Sequence, residues 1–443
     1  MFSNKDLRKL IIPLVIEQLL AVTIGMADTV MVSSCGEAAV SGISLVDSIN
    51  FLLITLFSSL ATGGAVIASQ YIGRGDHKSA SLAAKQLFYA SLALSAVLGV
   101  IAVFFRKPVL NMAFGSIEAD VMAHAQIYFL LSAISYPFLA VYNAGAALFR
   151  SMGDSRTTML ISILMNTINI VGNAILIYGF QMAAAGAATA SLVSRAVGAI
   201  IITVLLLNPR RIIFYDKLHK PEIHLSMLKS ILQIGVPNGL ENSIFQIGKI
   251  LVASIVSGFG TISITANAVA GNLASLQVIP GMALGMAMIT VVGQCIGAKD
   301  YEAVKKYTKK LLLITYGVVW AMTLLMLLFS KQILSFYSLS EETTTMTMEV
   351  FIVHGICAVI VWPLAFALPN ALRAANDVRF TMIVSLLSMW IFRIGFSYIL
   401  AIYFNMGILG TWIAMCIDWF CRGTCFVIRF ARGKWKNISF IDN

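Results

Sequence analysis

The chain has 443 residues, of which 59% are hydrophobic and only 12% charged, and its mean hydropathy is +0.88. Soluble domains carry about 25% charged residues, so water is excluded as the main solvent of this surface. The net charge of +11 lies mostly between apolar runs, which argues against a nucleic-acid partner and for anionic lipid headgroups.

Apolar stretches of transmembrane length recur down the whole sequence. In lipid such stretches must be helical, because every backbone N–H and C=O needs a partner within the segment. The expected fold is therefore an all-α integral membrane protein. Its spans fall at 8–33, 46–73, 85–105, 122–148, 158–179, 184–207, 225–257, 266–297, 311–330, 347–372, 380–403 and 408–430. The first span contains Glu17 and Asp28, lacks a small-residue cleavage site and is followed by many like it. It reads as a retained spanning helix and not as a signal peptide. The first, seventh and eighth spans exceed the length a bilayer needs, so tilt, kinks or protruding ends are expected.

With the N-terminus inside, the loops and helix ends on that side hold 24 Lys and Arg against three on the other, Arg106, Lys107 and Lys331. The positive-inside rule then places both termini in the cytoplasm. Cys295, Cys357, Cys416, Cys421 and Cys425 fall within or at the ends of spans, and Cys35 stands alone outside. Cys421 and Cys425 have i, i+4 spacing with no second pair, so packing is expected and a metal site is not.

The sequence repeats itself at a nearly constant distance. Pro13-Leu-Val-Ile-Glu17 matches Pro237-Asn-Gly-Leu-Glu241, and Gln70-Tyr-Ile-Gly-Arg-Gly-Asp76 matches Gln294-Cys-Ile-Gly-Ala-Lys-Asp300, both 224 residues on. Gly36 and Gly260 keep that offset. Phe149-Arg-Ser-Met-Gly-Asp-Ser-Arg156 corresponds to Leu372-Arg-Ala-Ala-Asn-Asp-Val-Arg379 at 223, and one gap accounts for the drift. Six spans per half is even, so the halves enter the membrane in the same direction and form two parallel six-helix repeats, a transporter signature with the site expected near the midplane. The expected organisation is an N-terminal bundle over 1–207, a basic cytoplasmic linker over 208–229 and a C-terminal bundle over 230–443. His219 and His224 of the linker read as solvated.

These repeated residues carry a family likeness. Pro13, Gly25-Met26-Ala27-Asp28-Thr29, Glu37-Ala-Ala-Val-Ser-Gly42, the Gln-Tyr-Ile-Gly stretch, Leu148-Phe-Arg-Ser-Met-Gly-Asp154, Asn169-Ile-Val-Gly-Asn173 and Gly186-Ala-Ala-Thr-Ala-Ser191 resemble the prokaryotic multidrug and toxic compound extrusion (MATE) family. The likeness covers essentially the whole chain. It implies a V-shaped pair of bundles working by alternating access. It also implies export of organic cations or amphipathic compounds, driven by inward Na⁺ or H⁺.

Ionisable and amide side chains at membrane depth are the functional candidates. The resemblance puts the family's essential acid of the first helix at Asp28; the plainer reading is an aspartate bonded to a local hydroxyl. Asn166, Asn169 and Asn173 share one face of the fifth span, and oxygen donors of this kind suit a hard cation. In the family the pattern often reads Asn then Asp; here Asn173 takes the second place, and Ser191 stands where threonine is common. That leaves Asp28 as the sole acid of the expected coupling site (Asp28, Asn169, Asn173, Ser191) and favours H⁺ over Na⁺. An interhelical hydrogen-bond ladder is the packing alternative for the asparagines.

Glu17 and Glu241 are repeat-related, and with Lys249 they are candidates for substrate or second-lobe cation binding; structural acids at helix starts are the alternative. Arg195, Arg393, Asp418 and Arg422 complete the intramembrane set, the last two reading as a local i, i+4 ion pair. Pro137, Pro280 and Pro363 lie inside spans as hinge candidates, static kinks being the alternative. No Walker A or His-Glu-x-x-His motif is present, so an enzyme is not expected. No cofactor is expected, and no metal beyond Na⁺ at the coupling site. The expected activity is secondary multidrug efflux by a monomer in a bacterial or archaeal inner membrane, its partners being small amphipathic or cationic substrates and membrane lipids. The alternative is a flippase for lipid-linked oligosaccharides or lipids, which an arginine-rich central cavity would favour.

Overall fold

The structure is a computed structural model that describes residues 2–115, 118–337 and 339–440. The side chains of Ile24, Met26, Ala27 and Thr29 lie outside the description, three of them in the Gly25–Thr29 stretch read above. The first half runs α1 (Asn4–Ser33), α2 (Glu37–Arg74), α3 (His77–Phe104), a short α4 (Arg106–Phe114), α5 (Ala119–Ser151), α6 (Ser155–Asn173) and α7 (Ala183–Leu206). The second runs α8 (Leu225–Ser257), α9 (Thr261–Gly297), α10 (Tyr301–Leu328), a short α11 (Ser330–Ser335), α12 (Glu341–Ile360), α13 (Leu368–Ala374), α14 (Val378–Ser388) and α15 (Gly407–Ala431). No strand occurs among the described residues. Eleven helices among those residues are long and apolar enough to cross a membrane. Preceding them, α1 has 30 residues and is about 45 Å long at 1.5 Å per residue.

The repeated motifs are helix punctuation. Gly75 (φ 81°) and Lys299 (φ 57°) take the left-handed conformation that ends α2 and α9. The aspartates that follow cap the next helices: Asp76 Oδ1 accepts from the Ser79 N–H and Asp300 Oδ1 from the Ala303 N–H, both at 2.9 Å. Gly153 (φ 81°) and Asn376 (φ 67°) repeat the turn after α5 and α13. There Asp154 caps α6 through the Thr157 N–H at 3.1 Å. Its counterpart Asp377 instead takes a bidentate pair from Arg429, Nε to Oδ2 at 2.6 Å and Nη2 to Oδ1 at 3.0 Å.

The offset drift has a structural cause as well. Asp154 and Asp377 begin α6 and α14 at an offset of 223, yet the π-helical segments Ala174–Gly179 and Tyr398–Tyr403 that end these spans begin 224 apart. The second half carries a further π-helical segment, Met389–Gly395. A π-bulge accommodates one inserted residue without breaking a helix, and that residue restores the offset.

The chain separates into two compact units, Met1–Gly239 and Leu240–Asn443. In the first, Phe57, Phe129 and Tyr136 are packed among α2, α3, α4 and α5. The 208–229 linker is pinned to this unit: Gln86 Nε2 donates to the Glu222 carbonyl at 2.7 Å, Tyr89 Oη to that of Leu218 at 2.8 Å, and Tyr215 is buried against Phe88. His219 and His224 are exposed. In the second unit Trp362, Trp412 and Trp419 dominate the core. Pro137 and Pro280 sit inside unbroken α5 and α9. Pro363 marks a change of helix type, since α12 ends at Ile360 and Pro363–Ala367 is π-helical.

Candidate ion-coupling site

Three helices of the first unit bring together the polar residues read from the sequence. Asp28 comes from α1, Asn169 and Asn173 from successive turns of α6, and Ser191 from α7. Asn173 Nδ2 donates to Asp28 Oδ1 at 2.6 Å. The Asn169 amide is satisfied with its nitrogen towards the acid: it then donates to Asp28 Oδ1 at 2.7 Å and accepts from Ser191 Oγ at 3.1 Å. Both asparagines are buried and Asp28 is partly so. Asn173 Oδ1 is buried without a hydrogen-bond partner among the described residues, a donor-free oxygen beside a carboxylate. Asn166, on the same predicted face, turns instead to Ser162 Oγ at 3.3 Å.

Asp28 is not the only acid here. Asp47, on α2, and Arg195, on α7, are the charged groups that act on it. Asp47 is exposed and is held by Tyr128 Oη at 3.0 Å and Asn50 Nδ2 at 3.2 Å, both donating to Oδ1. The network continues through Tyr136 Oη, which donates to Asn50 Oδ1 at 2.7 Å. Arg195 Nη1 donates to Ser135 Oγ at 2.6 Å. A signal existed: Asp47 and Asn50 are i, i+3 polar residues in an apolar span.

Glu17 and Glu241 make repeat-equivalent ion pairs. Arg150 Nη1 reaches Glu17 Oε1 at 3.3 Å, and Thr158 Oγ1 donates to Oε2 at 2.8 Å. Arg373 Nη2 reaches Glu241 Oε1 at 2.7 Å, while Glu241 Oε2 has no hydrogen-bond partner among the described residues. In the sequence Arg150 and Arg373 are visible only as basic residues at helix ends, and their pairing with the two glutamates is a finding of the structure. Lys249 is exposed, with Nζ 5.3 Å from the Phe245 ring centroid. Asp418 does pair with Arg422, at 3.3 Å, and Arg393 joins them at 3.9 Å.

A membrane protein of two helical repeats, with acids and amides converging inside one of them, has the design of a secondary transporter. The MatE family model matches residues 13–175 and again 237–399, the second match starting 224 residues after the first; the chain belongs to the MatE family. It is a multi-pass membrane transporter of the multidrug and toxic compound efflux class and not an enzyme. It is 27% identical over 429 residues to the "Uncharacterized transporter YisQ" of Bacillus subtilis, covering 96% of this chain and 93% of that one. It is 26% identical over 442 residues to the "Probable multidrug resistance protein NorM" of Thermotoga maritima, covering 98% and 93%. Its fold is like that of an outward-facing multidrug resistance MATE family transporter of the MOP superfamily, with a TM-score of 0.89 at 20% identity over 98% of this chain and 97% of that one.

Proposed function

We propose that the protein is an antiporter that exports small amphipathic or cationic compounds in exchange for inward H⁺, by alternating access and as a monomer among membrane lipids. Both termini face the cytoplasm of a bacterial or archaeal cell, and residues 1–207 and 230–443 act as the working bundles either side of the 208–229 linker. The observation that carries the reading is the carboxylate of Asp28 held by two buried amide donors on α6. A carboxylate in that setting keeps its charge while the donors face it and takes a proton when they turn away or when water leaves. Asp47, exposed on α2 and among the charged groups that act on Asp28, is the acid from which a proton moves to Asp28.

Na⁺ is the second reading, supported by one observation. The unpartnered Asn173 Oδ1, with Asp28 and Ser191, offers a hard cation oxygen ligands. No cofactor enters either reading. The test compares efflux by wild type and Asp28→Asn at equal membrane expression, under an imposed pH gradient and separately under a Na⁺ gradient. Asn at 28 keeps the shape and removes the titrating group, so export should be lost under both. Full activity under either gradient would remove Asp28 from coupling.

A further inference from the structure

The second half does not repeat the acid site of the first; it inverts it. At the 224-residue offset Val252 stands for Asp28, Lys249 for Gly25 and Arg393 for Asn169. Arg393 lies on the inserted π-helical segment Met389–Gly395, and such segments are frequent where a helix re-aims a functional side chain. Three cations converge on one ring: Lys249 Nζ at 5.3 Å, Arg393 Cζ at 5.4 Å and Arg422 Cζ at 5.5 Å from the Phe245 centroid. Arg422 also lies 4.5 Å from the Phe366 centroid.

Among the described residues one acid answers them. Asp418 is fully buried and already engaged by Arg422, by Arg393 and by Ser388 Oγ at 2.5 Å, so the cluster keeps a positive excess at membrane depth. Its hydrogen-bonding capacity is also unspent. Arg393 Nε and Arg422 Nε are buried without partners among the described residues, and the Arg422 side chain is only 3% exposed. Lys249 is exposed and makes no ion pair among the described residues. Three cations sharing one buried carboxylate at membrane depth are costly unless a further anion joins them, and the flanking aromatic faces fit the apolar body of such an anion.

We infer that the second unit holds a subsite for the anionic group of an amphipathic ligand, a carboxylate, sulfonate or phosphate carried on an apolar or aromatic body. Lys249 is its open edge, Arg393 and Arg422 its floor, and Phe245 and Phe366 its apolar wall. The subsite is independent of coupling through Asp28, so the failure of either reading leaves the other standing.

The test uses the purified full-length protein in phosphatidylcholine nanodiscs, with fluorescein, an aromatic carboxylate, as the anisotropy probe. Wild type should bind, Lys249→Gln should weaken binding by roughly tenfold, and Lys249→Arg should restore most of it. Lys249 makes no ion pair among the described residues, so the variants should fold, and an unchanged elution profile checks this. Displacement by naphthalene sulfonate supports a soluble organic anion as the occupant. Displacement on including phosphatidylglycerol supports a lipid phosphate in the same subsite. Absence of binding, equal affinity in Lys249→Gln, or displacement by cationic ethidium as effective as by naphthalene sulfonate would overturn the inference.

Discussion

Replacing Arg373 by Leu tests whether the buried ion pairs hold the two halves in shape. The Glu241 side chain is 8% exposed and Arg373 bonds its Oε1 at 2.7 Å, while Oε2 has no hydrogen-bond partner among the described residues. Removing the guanidinium strands a buried carboxylate, at a cost of about 3–5 kcal/mol. Spread over a unit of this size, that lowers the melting temperature by roughly 6–20 °C. The equivalent Arg150→Leu should cost less by about 1.5–3 kcal/mol, because Glu17 Oε2 keeps the Thr158 hydroxyl at 2.8 Å. Adding Glu241→Gln to Arg373→Leu should recover most of the loss, since no charge is left unpaired. The assay is the fraction eluting as a single species after heating in detergent, at one heating rate for all variants. A single variant as stable as wild type, or a double variant no better than the single, would refute the reasoning.

Asp47→Asn keeps the bonds from Tyr128 and Asn50 but removes the titrating group, so export under a pH gradient should slow at unchanged expression; an unchanged initial rate would take Asp47 out of the proton path. Gly410→Leu should lower the yield of monodisperse protein, with a cost of about 1–3 kcal/mol. A Cβ at Gly410 would lie 2.6 Å from the Ala401 backbone nitrogen, and wild-type yield would show that α15 can shift there. Asp76→Ala removes the α3 cap and should cost about 1 kcal/mol, whereas Asp76→Asn should be near neutral. The Ser79 donors hold the Asp76 carboxyl below its usual range, so its contribution is full above that range and is lost as pH falls through the lowered value. A pH-independent difference between wild type and Asp76→Asn in thermal melts would contradict this.

The helical spans and the duplication were legible because both are local or periodic. Each span is a run of apolar residues, and each repeated motif is a turn plus a cap whose residue types are dictated by backbone geometry. Short α4 and α11 escaped, being too short to carry a period. The change of helix type at Pro363 was marked by proline, but the π-helical segments left no mark except the offset that slipped to 223 and returned to 224. At the site, Asn169 and Asn173 could be paired by i, i+4 spacing, and Asp28 was placed by family likeness. Asp47 was missed because its partner Tyr128 lies 81 residues away on another helix. Glu17 and Arg150, 133 residues apart, and Glu241 and Arg373, 132 apart, were each visible as charges but not as pairs. Their near-equal spacing in the two halves was the available clue. The inverted polarity of the second half required knowing that Lys249, Arg393 and Arg422 meet at one ring.

The central claim is that movement of a compound outward is tied to movement of H⁺ inward through Asp28. Purified protein in liposomes holding a trapped pH-sensitive dye, without Na⁺ and with no other source of energy, tests it most directly. Adding ethidium on one side should draw H⁺ from the other side onto the side of addition in proportion to ethidium moved, in wild type but not in Asp28→Asn. Ethidium movement with no pH change in Na⁺-free wild-type liposomes, or an equal pH change in Asp28→Asn, would contradict the account.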